Sequence, residues 1–387
     1  MDLSYVLNHL AEQRADYYGA VAPPVIQTSN FAAPAVAGMR AMLADEYRRP
    51  LYTRGMNPTA RILNEKLAAL DEAEAALCFS SGVAAISAAV LSQVQAGDHV
   101  LYIRQAYGWT RQLMQQWLPK FGVDTEEVDG RSWANFEARL KPNTRLIMLE
   151  SPTSFFMELQ PVAEIAREAR RRSIITVLDN TYAGPLNPSP LSWGVDFVAY
   201  SGTKYHNGHS DVVCGVLSGA ATEMERIFHE VYLLLGQIIA PMDAWLILRG
   251  LRTLPLRMQQ IAHTTPRLVE WLSQQPQIAQ VLYPFHPSHP QHALALQQMQ
   301  QPAGLFSVYC HTQDPARIEA FADQLQRFTL AVSWGGHESL VLPAIALFDP
   351  TLPDPPLPLN LIRFYIGLES LDCLQDDLAQ ALPLLSE

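Results

Sequence analysis

Apolar and polar positions along the chain fall into two textures that meet near residue 241. From about residue 60 to 218, short apolar runs alternate with stretches of helical period. Ala75–Phe79, His99–Ile103, Thr144–Leu149, Ile174–Asp179, Phe197–Tyr200 and Val212–Leu217 predict strands, with helices expected over Gly82–Val94, Thr110–Phe121 and Val162–Arg172. A run such as Leu146-Ile147-Met148-Leu149 shows no polar alternation, as expected for a strand of a parallel sheet covered on both faces. The alternation as a whole predicts an α/β fold. After residue 241 a long helical stretch, Asp243–Ser273, is broken by Pro255, and Pro284 to Pro290 is a loop of Pro and His. Strand-like Gly304–Tyr309, helix Pro315–Gln326, strand Leu361–Ile366 and helix Leu371–Leu384 follow, reading as a second, smaller α/β unit. Residues 1–50 carry few strong signals and are expected to form an extended arm. The predicted organisation is therefore an arm over 1–50, a large domain over 51–241 and a small C-terminal domain over 242–387.

Composition narrows the function classes. The chain has 387 residues, 49% hydrophobic and 17% charged, enough to bury two cores and too apolar for a disordered protein. A formal charge of −11 argues against nucleic-acid or anionic-membrane partners, which need a basic face, while leaving room for a local anion site. The N-terminus lacks the basic start and apolar stretch of a secretory signal. No run of about 18 apolar residues occurs. Cys78, Cys214, Cys310 and Cys373 are scattered, without metal or redox spacing, and are expected to be reduced. A soluble cytoplasmic protein is the expectation.

Three segments stand out chemically. Phe79-Ser80-Ser81-Gly82-Val83-Ala84 reads as strand, tight turn and helix start, where free N–H groups and Ser hydroxyls suit a phosphate. Taken alone, Ser80 or Ser81 fits an ordinary helix cap better. Asp179, in Val177-Leu178-Asp179-Asn180-Thr181, ends an apolar strand at the edge where α/β ligands gather, and could hold a protonated ring nitrogen. A turn-forming Asp is the plain alternative. Lys204, in Ser201-Gly202-Thr203-Lys204-Tyr205, lies between an apolar strand and a Gly/Ser/His loop; partial desolvation would make it a nucleophile toward a carbonyl. An exposed loop lysine is the alternative there. Phosphate cradle, carboxylate and lysine together are what pyridoxal 5'-phosphate requires. P-loop, dinucleotide and zinc signatures are absent.

These residues resemble the Cys/Met-metabolism family of pyridoxal-phosphate enzymes, the cystathionine β-lyases, γ-synthases and γ-lyases, from Pro24 to Glu369. Tyr52-Thr53-Arg54-Gly55-Met56-Asn57-Pro58-Thr59 looks like the family's YxRxxNPT. Ala106-Tyr107-Gly108, Glu150-Ser151-Pro152-Thr153, Asp179-Asn180-Thr181, Ser201-Gly202-Thr203-Lys204-Tyr205 and Leu248-Arg249-Gly250-Leu251-Arg252-Thr253-Leu254 match in order. The resemblance implies the type I, aspartate-aminotransferase-like fold, with a large, mostly parallel-sheet domain and a smaller C-terminal α/β domain. It further implies a homotetramer built from two catalytic dimers, in which Tyr52 and Arg54 reach a neighbouring subunit's cofactor phosphate. It assigns catalysis to Lys204, Tyr107 and Asp179. Cofactor binding falls to those three together with Tyr52, Arg54, Ser81, Gly82, Val83, Thr181, Ser201 and Thr203. Tyr52, Ser333, Trp334 and Arg363 would bind a sulfur amino acid, Arg363 gripping its α-carboxylate with a planar fork.

Within the family, several departures are similar to bacterial cystathionine β-lyases: Trp334 after Ser333, Val332 and Leu51 where γ-acting members carry acids, and Ser154 in place of Asn. Asn57-Pro58-Thr59, Trp109 and Val83 do not follow that pattern, and Trp109 and Trp334 also fit as ordinary core aromatics. The expectation is β-elimination of cystathionine or a related S-substituted cysteine. A γ-acting member, a specialised carbon–sulfur lyase or a non-catalytic relative remain as alternatives.

Overall fold

The computed structural model describes residues 1–386. One seven-stranded sheet is built from β1 (Ala75–Phe79), β2 (His99–Ile103), β3 (Asp124–Val128), β4 (Thr144–Glu150), β5 (Ile175–Asp179), β6 (Phe197–Ser201) and β7 (Gly215–Gly219). The order across the sheet is β1-β7-β6-β5-β4-β2-β3. Strands β3, β2, β4, β5 and β6 are parallel, whereas β7 runs antiparallel between β6 and β1. The sheet is thus mostly parallel, and with its flanking helices it is the expected type I architecture.

Chain order determines where a ligand can lie. From β2 the chain moves outward to β3, then returns to place β4 on the other side of β2, so a crevice opens beyond the carboxyl ends of β2 and β4. Tyr107 follows β2, while Glu150 ends β4 and Asp179 ends β5. Lys204 lies three residues beyond the end of β6. The β4–β5 register sets Glu150 directly beside Asp179.

A second sheet, order β10-β11-β12-β9-β8, is built from β8 (Ile278–Leu282), β9 (Leu305–Cys310), β10 (Thr329–Leu330), β11 (Leu340–Pro343) and β12 (Leu361–Tyr365). It is mainly antiparallel. One apolar core joins the two sheets, since Ile147 and Leu178 of the large sheet share a buried cluster with Leu305, Leu340 and Tyr365 of the small one. Separate clusters cover the outer faces of each sheet. Arg363, at the centre of β12, is in this way carried to the first sheet's edge.

Several elements differ from expectation. The helix expected over Thr110–Phe121 is α-helical only over Gly108–Gln112, then widens to a π-turn over Leu113–Trp117 and tightens over Leu118–Phe121. The Pro255 break is real: helices run Pro241–Leu251 and Leu254–Ser273, with Pro255 in the first turn of the second, where no N–H is needed. Strand β3, Asp-Thr-Glu-Glu-Val, carries no apolar run. It survives as an edge strand whose acids pair with Arg111, Arg139 and Lys141.

The stretch expected as an extended arm over 1–50 contains helices Leu3–Asn8 and Val36–Ala44. The first is anchored by a buried ion cluster. Lys66, 1% exposed, lies 3.2 Å from Glu12, and its amine also donates to the Val6 and Leu7 carbonyls. Arg14 and Arg252 reach the same Glu12. Removing one member of such a cluster strands the other charge away from water. Glu12→Gln should therefore cost about 2–4 kcal/mol in urea unfolding, against at most ~0.5 kcal/mol for Glu65→Gln in the exposed Arg61–Glu65 pair. Equal costs would show that the cluster does not anchor the N-terminal helix.

Candidate active site

Lys204 sits in the loop after β6, under a small-sheet loop that approaches it closely. A Cβ on Gly335 would lie 2.7 Å from the Lys204 Cα, and Gly335 holds a φ of +88°, so only glycine fits there. The amine donates to the Ser333 hydroxyl at 2.5 Å. The Trp334 ring centroid is 5.8 Å from it. No carboxylate among the described residues pairs directly with the amine. Burial pulls its pKa down to about 8, the nearby Arg363 charge adds to that, and Asp179 opposes it.

Ser333 links two functional groups. Its hydroxyl takes the lysine amine while its carbonyl accepts from Arg363 at 3.5 Å. It does so at a φ of +77°, a left-handed conformation that a serine adopts only when its surroundings enforce it. Arg363 is buried, makes no ion pair among the described residues, and lies 4.5 Å from the Phe155 ring centroid. Burial lowers its pKa to about 10, which still leaves the guanidinium charged at neutral pH. A buried fork without a carboxylate is suited to receive one.

Asp179 is buried at the end of β5. Its Oδ1 accepts both the backbone N–H of Thr181, at 3.0 Å, and the Thr181 hydroxyl, and Oδ2 has no partner among the described residues. Burial raises its pKa, against the Thr181 hydrogen bonds and the charge on Lys204. Thr181 also accepts from the Ser201 N–H at 2.8 Å, tying β5 to the start of the lysine loop. Behind it, Asn180 donates to the Tyr200 hydroxyl at 3.0 Å, and Tyr200 donates to buried Asp71 at 2.5 Å. This relay back to the helix Pro58–Leu70 had no signal in the sequence.

Tyr107 is 42% exposed and presents its ring at the open side of the crevice, with Trp109 beside it 57% exposed. Burial raises the Tyr107 hydroxyl's pKa, with the Asp179 and Glu150 charges adding to it. Trp109 is therefore no core aromatic. Trp334 is one: 8% exposed, it packs edge-on against Tyr205 at 5.3 Å and against Tyr182 and Tyr365 at 6.4 Å, while its other side borders Lys204.

Ser81 caps the helix Gly82–Leu91 by accepting from the Ala84 N–H at 3.1 Å. A Cβ on Gly82 would lie 2.9 Å from Ser201, so the helix start is pressed against the lysine loop, with the backbone of Gly82 and Val83 in its first turn. The Thr203 hydroxyl is already engaged with the Cys214 backbone, donating at 3.3 Å and accepting at 2.9 Å, which leaves one lone pair free. Tyr52 and Arg54 stand apart. Both are exposed, Arg54 lies 5.6 Å from the Tyr52 ring centroid, and neither hydrogen-bonds to Lys204, Asp179 or Tyr107.

Pyridoxal phosphate needs an amine for its carbonyl, a carboxylate for its ring nitrogen and donors for its phosphate. The chain offers a desolvated amine, an oriented buried carboxylate with one oxygen free, and a helix start beside the Ser201 and Ser81 hydroxyls. The group fits. Glu150 and Phe155 were not among the expected site residues. Glu150, a carboxylate closing an apolar strand, carries the same signal that singled out Asp179.

Comparison with known proteins agrees. Residues 6–383 match the family model for Cys/Met metabolism PLP-dependent enzymes. An L-methionine gamma-lyase of Pseudomonas putida is 36% identical over 95% of this chain and 94% of its own. A cystathionine beta-lyase of Lactococcus lactis subsp. cremoris is 33% identical over 94% of each chain. The crystal structure of a Xanthomonas oryzae pv. oryzae cystathionine gamma synthase superposes with a TM-score of 0.92 at 30% identity, covering 100% of this chain and 98% of that one.

The depressed Lys204 pKa has a stability consequence. In the cofactor-free protein the unfolded chain binds more protons at this site between about pH 8 and 10.5, so stability rises with pH through that window. Lys204→Met, which keeps the stem and removes the charge, should raise cofactor-free stability at pH 7 by up to about 3 kcal/mol. The gap should close toward pH 10.5 in thermal or urea unfolding. A gap independent of pH would mean that the amine is not desolvated.

Proposed function

The chain belongs to the Cys/Met metabolism PLP-dependent enzymes, and we propose that within this family it cleaves carbon–sulfur bonds by β-elimination. Cystathionine or a related S-substituted cysteine, with one water, would yield a thiol, pyruvate and ammonia. The observation that carries this reading is the Trp334 ring, fixed by Tyr182, Tyr205 and Tyr365 and set against the Lys204 amine. γ-Elimination needs a second proton, taken from Cβ, and hence a base that can travel; a rigid indole beside the amine limits that travel. Val332, exposed beside Ser333, adds no acid to the pocket.

Bound pyridoxal phosphate would supply an electron sink for the substrate's Cα. Lys204 would hold the cofactor through its amine and, once displaced by the substrate amine, take the Cα proton, which a pKa near 8 suits. It would then return a proton to the departing sulfur. Asp179 Oδ2 would keep the proton on the cofactor's ring nitrogen, with Thr181 fixing the carboxylate's orientation. Arg363 would grip the α-carboxylate, held by the Phe155 ring against its guanidinium and by its hydrogen bond to the Ser333 carbonyl. Tyr107 would cover the ring and help exclude water. Ser81, Gly82, Val83, Ser201 and Thr203 would hold the phosphate. The exposure of Tyr52 and Arg54, away from Lys204 in their own chain, supports their completing that site in a neighbouring subunit, within a tetramer of two catalytic dimers. No helix among the described residues is long and apolar enough to cross a membrane, and a cytoplasmic setting is part of the proposal.

γ-Elimination is the second reading, favoured by the named activity of the Pseudomonas putida relative. The released keto acid separates the two. L-Cystathionine should give pyruvate, and Lys204→Ala and Asp179→Ala should each lower kcat/KM by at least ~100-fold. Release of 2-oxobutyrate would transfer the chain to the γ-acting enzymes, and full activity of Lys204→Ala would remove the lysine from the chemistry.

A further inference from the structure

Glu150 has no role in the chemistry above, yet it is buried at the end of β4 with no basic side chain paired to it among the described residues. An uncompensated carboxyl in that position costs stability unless hydrogen bonds hold it. Its two oxygens serve two different loops. Oε2 accepts the Tyr107 N–H at 2.5 Å, and Oε1 accepts the Ser154 N–H at 3.1 Å. The backbone around the carboxyl is itself fixed. The Glu150 N–H donates to Gln160 at 3.3 Å, the Gln160 N–H donates to the Ser151 hydroxyl at 3.1 Å, and the sheet register holds Glu150 beside Asp179. Each anchored loop delivers one aromatic ring to the site: Tyr107 itself, and Phe155, which follows Ser154 and faces the Arg363 guanidinium.

We propose that Glu150 is a positioning residue that sets the Tyr107 and Phe155 rings together, thereby coupling the seat of the cofactor ring to the grip of Arg363 on the substrate carboxylate. This rests on the roles of Tyr107 and Arg363 given under the proposed function. The carboxyl is a rigid planar spacer, so the separation of its oxygens fixes the distance between the two loops. Loss of either acceptor frees one loop to shift, and displacements well under an ångström at such a site reduce rate and affinity together.

Glu150→Gln keeps the volume and one acceptor, but sets an amide N–H against one of the two backbone N–H groups. The readouts, made on the holoenzyme, are the visible circular dichroism of bound pyridoxal phosphate and the concentration of glycine that half-saturates the spectral change. Glycine carries no leaving group, so neither readout depends on turnover. The expected result is a weakened cofactor circular-dichroism band and a half-saturating glycine concentration raised about tenfold, with far-ultraviolet dichroism unchanged. Phe155→Leu, which touches only one arm, should raise the glycine concentration about fivefold and leave the cofactor band alone. It also keeps the proposal testable if Glu150→Gln fails to fold. Both readouts within about twofold of the parent for Glu150→Gln, or an unchanged glycine response for Phe155→Leu, would overturn it. A parent protein whose cofactor spectrum ignores glycine would instead overturn the reading of the site itself.

Discussion

Everything at this site depends on keeping one lysine amine away from water without giving it a carboxylate to pair with. An amine in bulk solvent stays charged near neutral pH and is a poor base or nucleophile, whereas a desolvated one is neither fully charged nor tightly bound. The chain achieves this by packing the Gly335 backbone onto Lys204, walling it with Trp334 and giving it the Ser333 hydroxyl as hydrogen-bond partner. The formal charges that act on it oppose each other, Arg363 lowering the pKa and Asp179 raising it. Two further features follow from this one. Ser333 adopts a left-handed backbone, and Arg363 is buried without an ion pair among the described residues. Both are destabilising features of the kind that persist at functional sites.

The two sheets divide the work. The large sheet brings the ends of β2, β4, β5 and β6 to one edge, so the carboxylates, the tyrosine loop and the lysine loop meet there by topology alone. The small sheet contributes Arg363 from β12 and the loop of Ser333 to Gly336, which in the proposed reading would grip the substrate. Because one core runs through both, the second sheet is held at a fixed distance from the first rather than hinged freely to it. Polar contacts repeat the pattern, as where Ser210 beyond Lys204 donates to Glu338 at 2.6 and 2.8 Å.

Relatives on the same architecture carry different names, methionine gamma-lyase, cystathionine beta-lyase and cystathionine gamma synthase among them. The cofactor chemistry up to removal of the Cα proton makes the same demands on the protein in all such reactions. What differs is the space and polarity around the departing group and the freedom of the base. In the proposed reading those would be set in this chain by a few side chains, Trp334 and Val332 among them, rather than by the fold.

By itself the sequence marked six of the seven strands of the large sheet, β7 with a start three residues too early, because buried strands need unbroken apolar runs, and these leave a direct mark. It also marked Asp179 and Lys204, a carboxylate and an amine each stationed where an apolar strand ends. It could not mark β3, an edge strand of Asp, Thr and Glu stabilised by cations from other elements. The antiparallel course of β7 was equally hidden, since strand direction leaves no trace in composition. Only the tertiary structure decided that Trp334 is both core aromatic and neighbour of the lysine, that Arg363 has no ion-pair partner among the described residues, and that Glu150 joins two loops. Those properties arise between residues more than a hundred positions apart or between separate loops, where distance and burial, rather than residue type, set the chemistry.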